Sequence, residues 1–395
     1  MPAKDHFERG NAHYEKGRYQ KAIKEFEKAL KSNPNNNHHI TLLFMGKAYG
    51  KLGEYKKSID CYQQAVEIDF EYSEAWILMG GAYYYLGEYE KAIGAYHRAS
   101  DLNPEYVDPW LLMGVVYGRL GDYKNILLCY QKAVEIAPED ADAWYSMGVV
   151  YSELGDHKKA FECYKKALDI KPDYIDAWYK TGITYGRLGD YRKAINHYQT
   201  ALKFDPNDLD VWYSMGVAYG ELGEQYKAIE CYKKSIEIKS DFEDAWNLIG
   251  LSYDRLGEYK KAIKYFQKAL KINPAFAKAW YNLGVIYGKL GDHKKTVECC
   301  QKALKINLKD VDTWNLIGTA FYYSDASKKA INYYQKALEI DPKNAKAWGL
   351  MGLAYRALNR YKEAIKCFEK ALEINQDLLF VKKNLQDLQD LHGVM

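Results

Sequence analysis

Nine tryptophans stand at positions 76, 110, 144, 178, 212, 246, 280, 314 and 348, always 34 residues apart. A single hydrophobic core rarely grows beyond about 250–300 residues. A chain of 395 must therefore divide into domains or extend without closing one core. The fixed spacing decides for extension, because a 34-residue period marks an array of like units that each bury an apolar face against their neighbours. The rows run 3–36, 39–72, 73–106, 107–140, 141–174, 175–208, 209–242, 243–276, 277–310, 311–344 and 345–378, with a two-residue insertion at Asn37 and His38 and a segment 379–395 after the last. Eleven rows and that tail leave no room for another domain.

Columns are numbered here from the tryptophan position of each row. In the row SEAWILMGGAYYYLGEYEKAIGAYHRASDLNPEY, Trp76, Met79, Gly80 and Tyr83 form the i, i+3, i+4, i+7 face of one helix. After Leu86-Gly87-Glu88 a second such face begins with Tyr89, Ala92, Tyr96 and Ala99, and Asn103-Pro104 turns the chain into the next row. Each row is thus a helical hairpin. Glycine fills column 4 in all eleven rows, from Gly10 to Gly352, although a mid-helix glycine costs about 1 kcal/mol against alanine. That implies a close helix contact, for which the alanines at 22, 92, 160, 194, 228, 262, 330 and 364 supply a matching flat surface on the second helix.

The sequence of Trp, Leu-Gly, Tyr, Ala, Tyr/Phe, Ala and Pro along a 34-residue row resembles the tetratricopeptide repeat. The ankyrin unit has a neighbouring period, but its Thr-Pro-Leu-His motif is absent. The resemblance implies an all-α, right-handed α-solenoid of helix-turn-helix units, whose first helices line a concave channel that binds peptides or partner proteins. Departures from the pattern mark the ends. The first row carries His6, Arg9 and His13 where later rows are apolar, and Phe380, Leu385, Leu388 and Leu391 amid Lys382, Lys383, Gln386 and Asp390 read as a C-terminal capping helix over the last row. The tenth row has Ser324-Asp325-Ala326-Ser327 in place of Leu-Gly-Asp/Glu-Tyr, which predicts a locally loosened hairpin.

Composition excludes several classes. Lys+Arg 56 against Asp+Glu 53 leaves a net charge of +3 with no long run of one sign, so a nucleic-acid footprint is absent. No apolar stretch approaches the roughly 18 residues of a membrane span, and the first residues have no signal-like apolar segment, so a cytoplasmic protein without membrane contact is expected. Six of the seven cysteines (61, 129, 163, 231, 299, 367) share column 19 and Cys300 adjoins it; without CxxC or histidine at metal spacing they read as buried free thiols. No GxSxG, HExxH, phosphate loop or dinucleotide fingerprint occurs. His157 and His293 replace tyrosine in the aromatic column 13, so no catalytic residue, metal site or cofactor is expected.

A second stripe on each first helix, at columns 1, 5, 8 and 9 and two before the tryptophan, lies roughly 130–140° from the packing face. By the resemblance it lines the channel. Tyr145, Tyr179 and Tyr213 share column 1 in consecutive rows, with Tyr281 two rows on. Two roles are open to these rings, gripping an extended peptide or packing against neighbouring helices. Column 9 reads Arg119, Glu153, Arg187, Glu221, Arg255 and then Lys289, and its charges either pair between rows or steer acidic groups of a ligand. Tyr84, Tyr85, Tyr322 and Tyr323 add rings near either end.

Column 5 is apolar (Val115, Val149, Ile183, Val217, Leu251, Val285), so the Lys/Asn carboxylate clamp of the family's chaperone-binding members is not recognisable. The asparagine ladder of the O-linked N-acetylglucosamine transferase would need asparagine in column 2, where only Asn282 qualifies. The expectation is a non-enzymatic interaction scaffold for a protein or peptide partner. A chaperone adaptor, a substrate-recognition subunit of a larger enzyme such as a glycosyltransferase, and self-association stay open.

Overall fold

A computed structural model describes residues 3–32 and 38–393, without the side chains of 391–393; Asn37 of the insertion and the side chain of Leu391 in the cap lie outside the described residues. Those residues form 23 α-helices and no strand. Second helices are 14 residues long throughout, as in Tyr89–Leu102, and the first helices from Ser73–Tyr85 onward are 13. The chain divides into two units, residues 1–184 and 185–395.

Within each unit a first helix packs on its own second helix and on the second helix of the row before it. Successive first helices also touch: Ala3–Glu15 with His38–Lys51 and Ser73–Tyr85 beyond it, and, in the second unit, Glu243–Arg255, Ala277–Lys289, Val311–Tyr323 and Ala345–Ala357 in series. Each core cluster joins neighbouring rows. One of them runs from Ala228 and Tyr232 through Ile249 and Phe266 to Leu283 and Ile286. No row buries its apolar face alone, which is why the array must propagate.

The partner of the column 4 glycine is a ring. A Cβ on Gly80 would stand 2.6 Å from Tyr96 Cε1, and one on Gly250 would stand 2.6 Å from Phe266 Cε1, both column 20 residues. This corrects the expectation that alanine supplies the facing surface. Fully buried Ala228 of that alanine column lies instead opposite Gly220, four residues beyond the column 4 glycine. An aromatic face needs a bare backbone to lie flat on, and glycine alone provides it.

The hairpin turn also differs from expectation in the tenth row. Nine rows place glycine in the left-handed region, such as Gly87 at φ 77°, where a Cβ is disfavoured. Asp325 adopts φ 56° and Asn359 of the last row φ 57°. The same closing bond forms regardless: Ala326 N–H donates to Phe321 O at 2.9 Å, as Glu88 N–H does to Tyr83 O at 3.0 Å. Asp and Asn tolerate this backbone better than other side chains, so the hairpin is closed rather than loosened. Ser327 takes the missing ring's place as a buried residue.

The tryptophans have a polar task as well as an apolar one. The indole N–H of Trp144, Trp178, Trp212, Trp280 and Trp348 donates to the carbonyl of the proline six residues earlier, at 2.8 to 3.0 Å. Phe70, Ser240 and Leu308 accept in the same way from Trp76, Trp246 and Trp314. Each of these eight indoles therefore ties down the connection entering its row, which phenylalanine could not do. At the C-terminal end, Leu379–Gly393 covers the last hairpin with Val381 and Leu388, both buried against Phe368 and Ala371.

Candidate binding surfaces

The first-helix face carries the residues singled out from the sequence. Tyr145 is half-buried, its ring 6.1 Å from Tyr164 of its own row and 5.0 Å from Tyr174 at the entry to the next. Tyr213 repeats this against Tyr232 at 6.0 Å and Phe242 at 5.1 Å. Burial raises both phenols, Tyr145 to about 12. Tyr281 is likewise half-buried and pushed up to about 12 by desolvation and then by Asp312 and Asp310. Tyr179 is half-buried with the Lys180 ammonium 6.0 Å from its ring centroid. Tyr145 and Tyr213 are thus wedged between rows, with one edge left to solvent.

The column 9 charges reach backwards along the stack. Arg119 Nε donates to Tyr84 OH at 2.9 Å, Arg255 Nη1 donates to Gly220 O at 2.9 Å, and Lys289 Nζ donates to Asp254 Oδ1 at 2.5 Å. Each partner lies 35 residues earlier, in column 8 of the preceding row. Of the alternating acidic set, Glu221 lies 3.6 Å from Arg255. These pairs hold their partners at the surface, where an ion pair contributes about 0–1 kcal/mol. Arg187 is exposed at the end of its helix.

Tyr85 and Tyr323 occupy the same column 9 and are 67% and 66% exposed. Each lies flat on the column 13 ring of the row before it, Tyr85 on Tyr55 at 5.0 Å and Tyr323 on His293 at 6.0 Å. Tyr84 and Tyr322 meet them edge-on at 5.6 and 5.3 Å. The exposed aliphatics are in column 5, where Val115 is 47% and Val217 37% exposed and Val149, Ile183, Leu251 and Val285 are half-buried.

Sequence reasoning missed the opposite face. Grooves open between successive second helices of the second unit, floored by the tryptophan, column 3 and column 7 residues assigned to framework. Every tryptophan is only half-buried there. The legible signal was column 19, in which Cys231, Tyr265, Cys299, Tyr333 and Cys367 alternate between a small side chain and a ring. All seven cysteines are buried free thiols. Desolvation pushes Cys231 up to about 12 and Cys299 to about 11, so neither is a nucleophile at neutral pH. Among the described residues no cluster of His, Cys, Asp or Glu is arranged to hold a metal ion, and no helix is long and apolar enough to cross a membrane.

Paired helices repeating every 34 residues, with a ring on glycine in pairs such as those of Gly80 and Gly250, define an all-α repeat scaffold. A tetratricopeptide repeat model matches residues 40–72, 209–242, 243–276, 277–310, 311–344 and 345–378, and related models match 3–36, 80–121, 105–173 and 139–207. The chain belongs to the tetratricopeptide repeat family. No curated protein matches it by sequence. Among solved structures, a tetratricopeptide repeat protein from Parabacteroides merdae is similar over 63% of this chain and 98% of its own, at 19% identity and a TM-score of 0.52. Yeast Tom70 is similar over 99% and 96% at 16% identity and a TM-score of 0.49, and the MamA protein over 44% and 94% at 30% identity and a TM-score of 0.39.

Proposed function

We propose that the chain is a non-catalytic scaffold whose first-helix face holds an extended or helical segment of a partner protein. The observation that carries this reading is column 5. Three aliphatic side chains in each unit, Val115, Val149 and Ile183 in one and Val217, Leu251 and Val285 in the other, occupy positions that the stack itself does not bury. Apolar surface left in water costs roughly 25 cal/mol per Å², which a covering partner recovers. Tyr85 and Tyr323 add exposed rings, and Tyr84, Tyr145, Tyr179, Tyr213, Tyr281 and Tyr322 offer edges beside them. Arg119, Arg187, Arg255 and Lys289 stand at the border for acidic groups. Membership of a family whose repeats hold peptide or protein partners supports the same reading.

The test is a double substitution, Val115→Glu with Val217→Glu, in the full chain. Proteins co-purifying with the wild type are identified by mass spectrometry and then sought with the variant. Loss of the partner with an unchanged melting curve is expected, because both residues are exposed; retention would overturn the proposal. Tyr145→Ala with Tyr213→Ala is the contrasting pair. Those rings are packed between rows, so this variant lowers the melting temperature as well.

A further inference from the structure

The space above each tryptophan edge on the second-helix face of the second unit varies from row to row. It measures about 680 Å³ over Trp212, 710 Å³ over Trp348, 380 Å³ over Trp280 and 280 Å³ over Trp314. Two side chains account for the differences. Column 19 is cysteine over Trp212, Trp280 and Trp348, whereas Tyr333 lies 5.9 Å from Trp314 and Tyr265 lies 5.8 Å from Trp246, so that a ring takes up part of the space beside the indole. Column 22 is lysine: Lys302 stands 4.2 Å above Trp280 and Lys336 4.9 Å above Trp314. In the two largest grooves that lysine is drawn aside, Lys234 to Glu237 and Lys370 to Glu373, each at 2.7 Å. Among the described residues no cation covers Trp212 or Trp348.

Charge separates the two open grooves. Lys203, Lys227, Lys233 and Lys234 face Glu230 and Glu237 around Trp212, while Lys366 faces Glu339 and Glu363 around Trp348. Lys227 bonds to Glu224 at 2.6 Å, but Lys203 and Lys233 enter no ion pair among the described residues. The groove over Trp212 therefore has an apolar floor of Trp212, Met215, Tyr219 and Cys231 beneath a rim with surplus, uncommitted positive charge. Its volume lies within the range of about 300–1,000 Å³ typical of ligand sites.

We propose that this groove docks an acidic segment of a partner protein, which lays an aromatic or aliphatic side chain on the Trp212 edge and sets its carboxylates against Lys203 and Lys233. The site is on the other helix face from column 5 and independent of it. Ring-on-indole contact supplies affinity, and the lysines supply sign selectivity and a dependence on salt.

The test uses the full chain and a fluorescein-labelled octapeptide of Asp and Glu around one central Phe, with a second peptide in which Lys replaces every acid, read by fluorescence anisotropy. The acidic peptide is expected to bind saturably and at least about tenfold tighter than the basic one. Cys231→Tyr, which installs the ring that rows eight and ten already accommodate, should weaken it about tenfold or more with an unchanged circular dichroism spectrum. Lys203→Glu with Lys233→Glu should do the same by charge alone, and so decides the matter if Cys231→Tyr does not fold. Cys367→Tyr, filling the acidic groove over Trp348, should leave binding unchanged, as should the column 5 variant. No saturable binding up to about 1 mM, equal binding of the basic peptide, or wild-type affinity in Cys231→Tyr and the lysine variant would overturn the proposal. So would sedimentation showing a wild-type oligomer that Cys231→Tyr dissociates, since the occupant would then be a second copy.

Discussion

Gly250→Ala and Gly284→Ala are the same chemical change in adjacent rows, and the structure expects opposite results. A Cβ at position 250 would lie 2.6 Å from Cε1 and 2.7 Å from Cδ1 of Phe266, a fully buried ring. Carbon contacts are comfortable at about 3.5–4.0 Å, so nearly 1 Å must be found by moving a helix or a ring with no free space around it. Such overpacking costs about 1–3 kcal/mol. The gain in helix propensity of about 1 kcal/mol offsets part of it, leaving a net loss of up to about 2 kcal/mol. At position 284 the column 20 residue is Cys300, whose Sγ lies 3.0 Å from the same Cβ, with Thr296 O next at 3.5 Å. A shift of a few tenths of an ångström suffices, and Gly284→Ala should fall between neutral and about 1 kcal/mol stabilising. In a Phe266→Cys background, itself destabilised by several kcal/mol (Phe→Ala costs about 3–5), Gly250→Ala should lose its penalty, a coupling of about 1–3 kcal/mol. Repeat arrays open locally, so amide hydrogen exchange across rows eight and nine is the sharper assay, with guanidinium unfolding beside it. Equal destabilisation by the two glycine variants, or an additive double mutant, would refute the idea that the ring is what requires glycine.

Two other consequences are open to measurement. Replacing Asp325, at φ 56°, by glycine should stabilise the tenth hairpin by about 0.5 kcal/mol, relief of the left-handed backbone outweighing the freer unfolded chain; a lower melting temperature would contradict this. Asn359→Gly should be nearly neutral, because Asn359 tolerates that backbone and its Oδ1 accepts from Tyr361 OH at 2.9 Å. The buried thiols predict alkaline sensitivity. Desolvation raises Cys61, Cys129, Cys163, Cys231 and Cys367 from about 9 to about 12, and raises Cys299 and Cys300 as well. An acid whose folded value is raised keeps its proton in the native state while the unfolded chain loses it, so stability falls as the pH climbs above about 9. Ellman's reagent at pH 8 should find all seven thiols only in denaturant; rapid labelling of the native protein would sink this reading.

The hairpin and its turn were legible because each demand is local and restated in most rows: a helical face from columns 0, 3, 4 and 7, a turn before column 13, a second face after it. What sits opposite the column 4 glycine was not, since the choice between Ala262 and Phe266 depends on how the two helices cross, and a linear pattern carries no crossing angle. The role of Asp325 was misread for a related reason: the turn needs a backbone conformation, and aspartate can supply it without glycine. The indole N–H bond was visible in principle as proline six residues before Trp144, Trp178, Trp212, Trp280 and Trp348, but the tryptophan column had already been explained by packing. Column 9 was read as a choice between pairing and ligand steering. For Arg119, Arg255 and Lys289 the structure shows bonds to column 8 of the preceding row.

A repeat constrains where specificity can reside. A side chain that recurs from row to row meets like neighbours each time, so its identity is accounted for by packing: glycine under the column 20 ring in most rows though not in the ninth, tryptophan on the entering connection, alanine at a close helix approach. A site for one partner must lie where a column breaks its own rule. Column 19 does so within the second unit, and the break has a physical consequence, since a ring there stacks on Trp246 and narrows the groove over Trp314, and a thiol leaves more space over Trp212, Trp280 and Trp348. The column 22 lysine then selects among the open ones, covering Trp280 but diverted by Glu237 and Glu373 from Trp212 and Trp348. Rim charge makes the last division, leaving the groove over Trp212 as the open one of the two with surplus lysine. Three independent departures on a periodic framework are enough to make one row chemically distinct: a thiol in column 19, a glutamate that draws the column 22 lysine aside, and two rim lysines in no ion pair among the described residues.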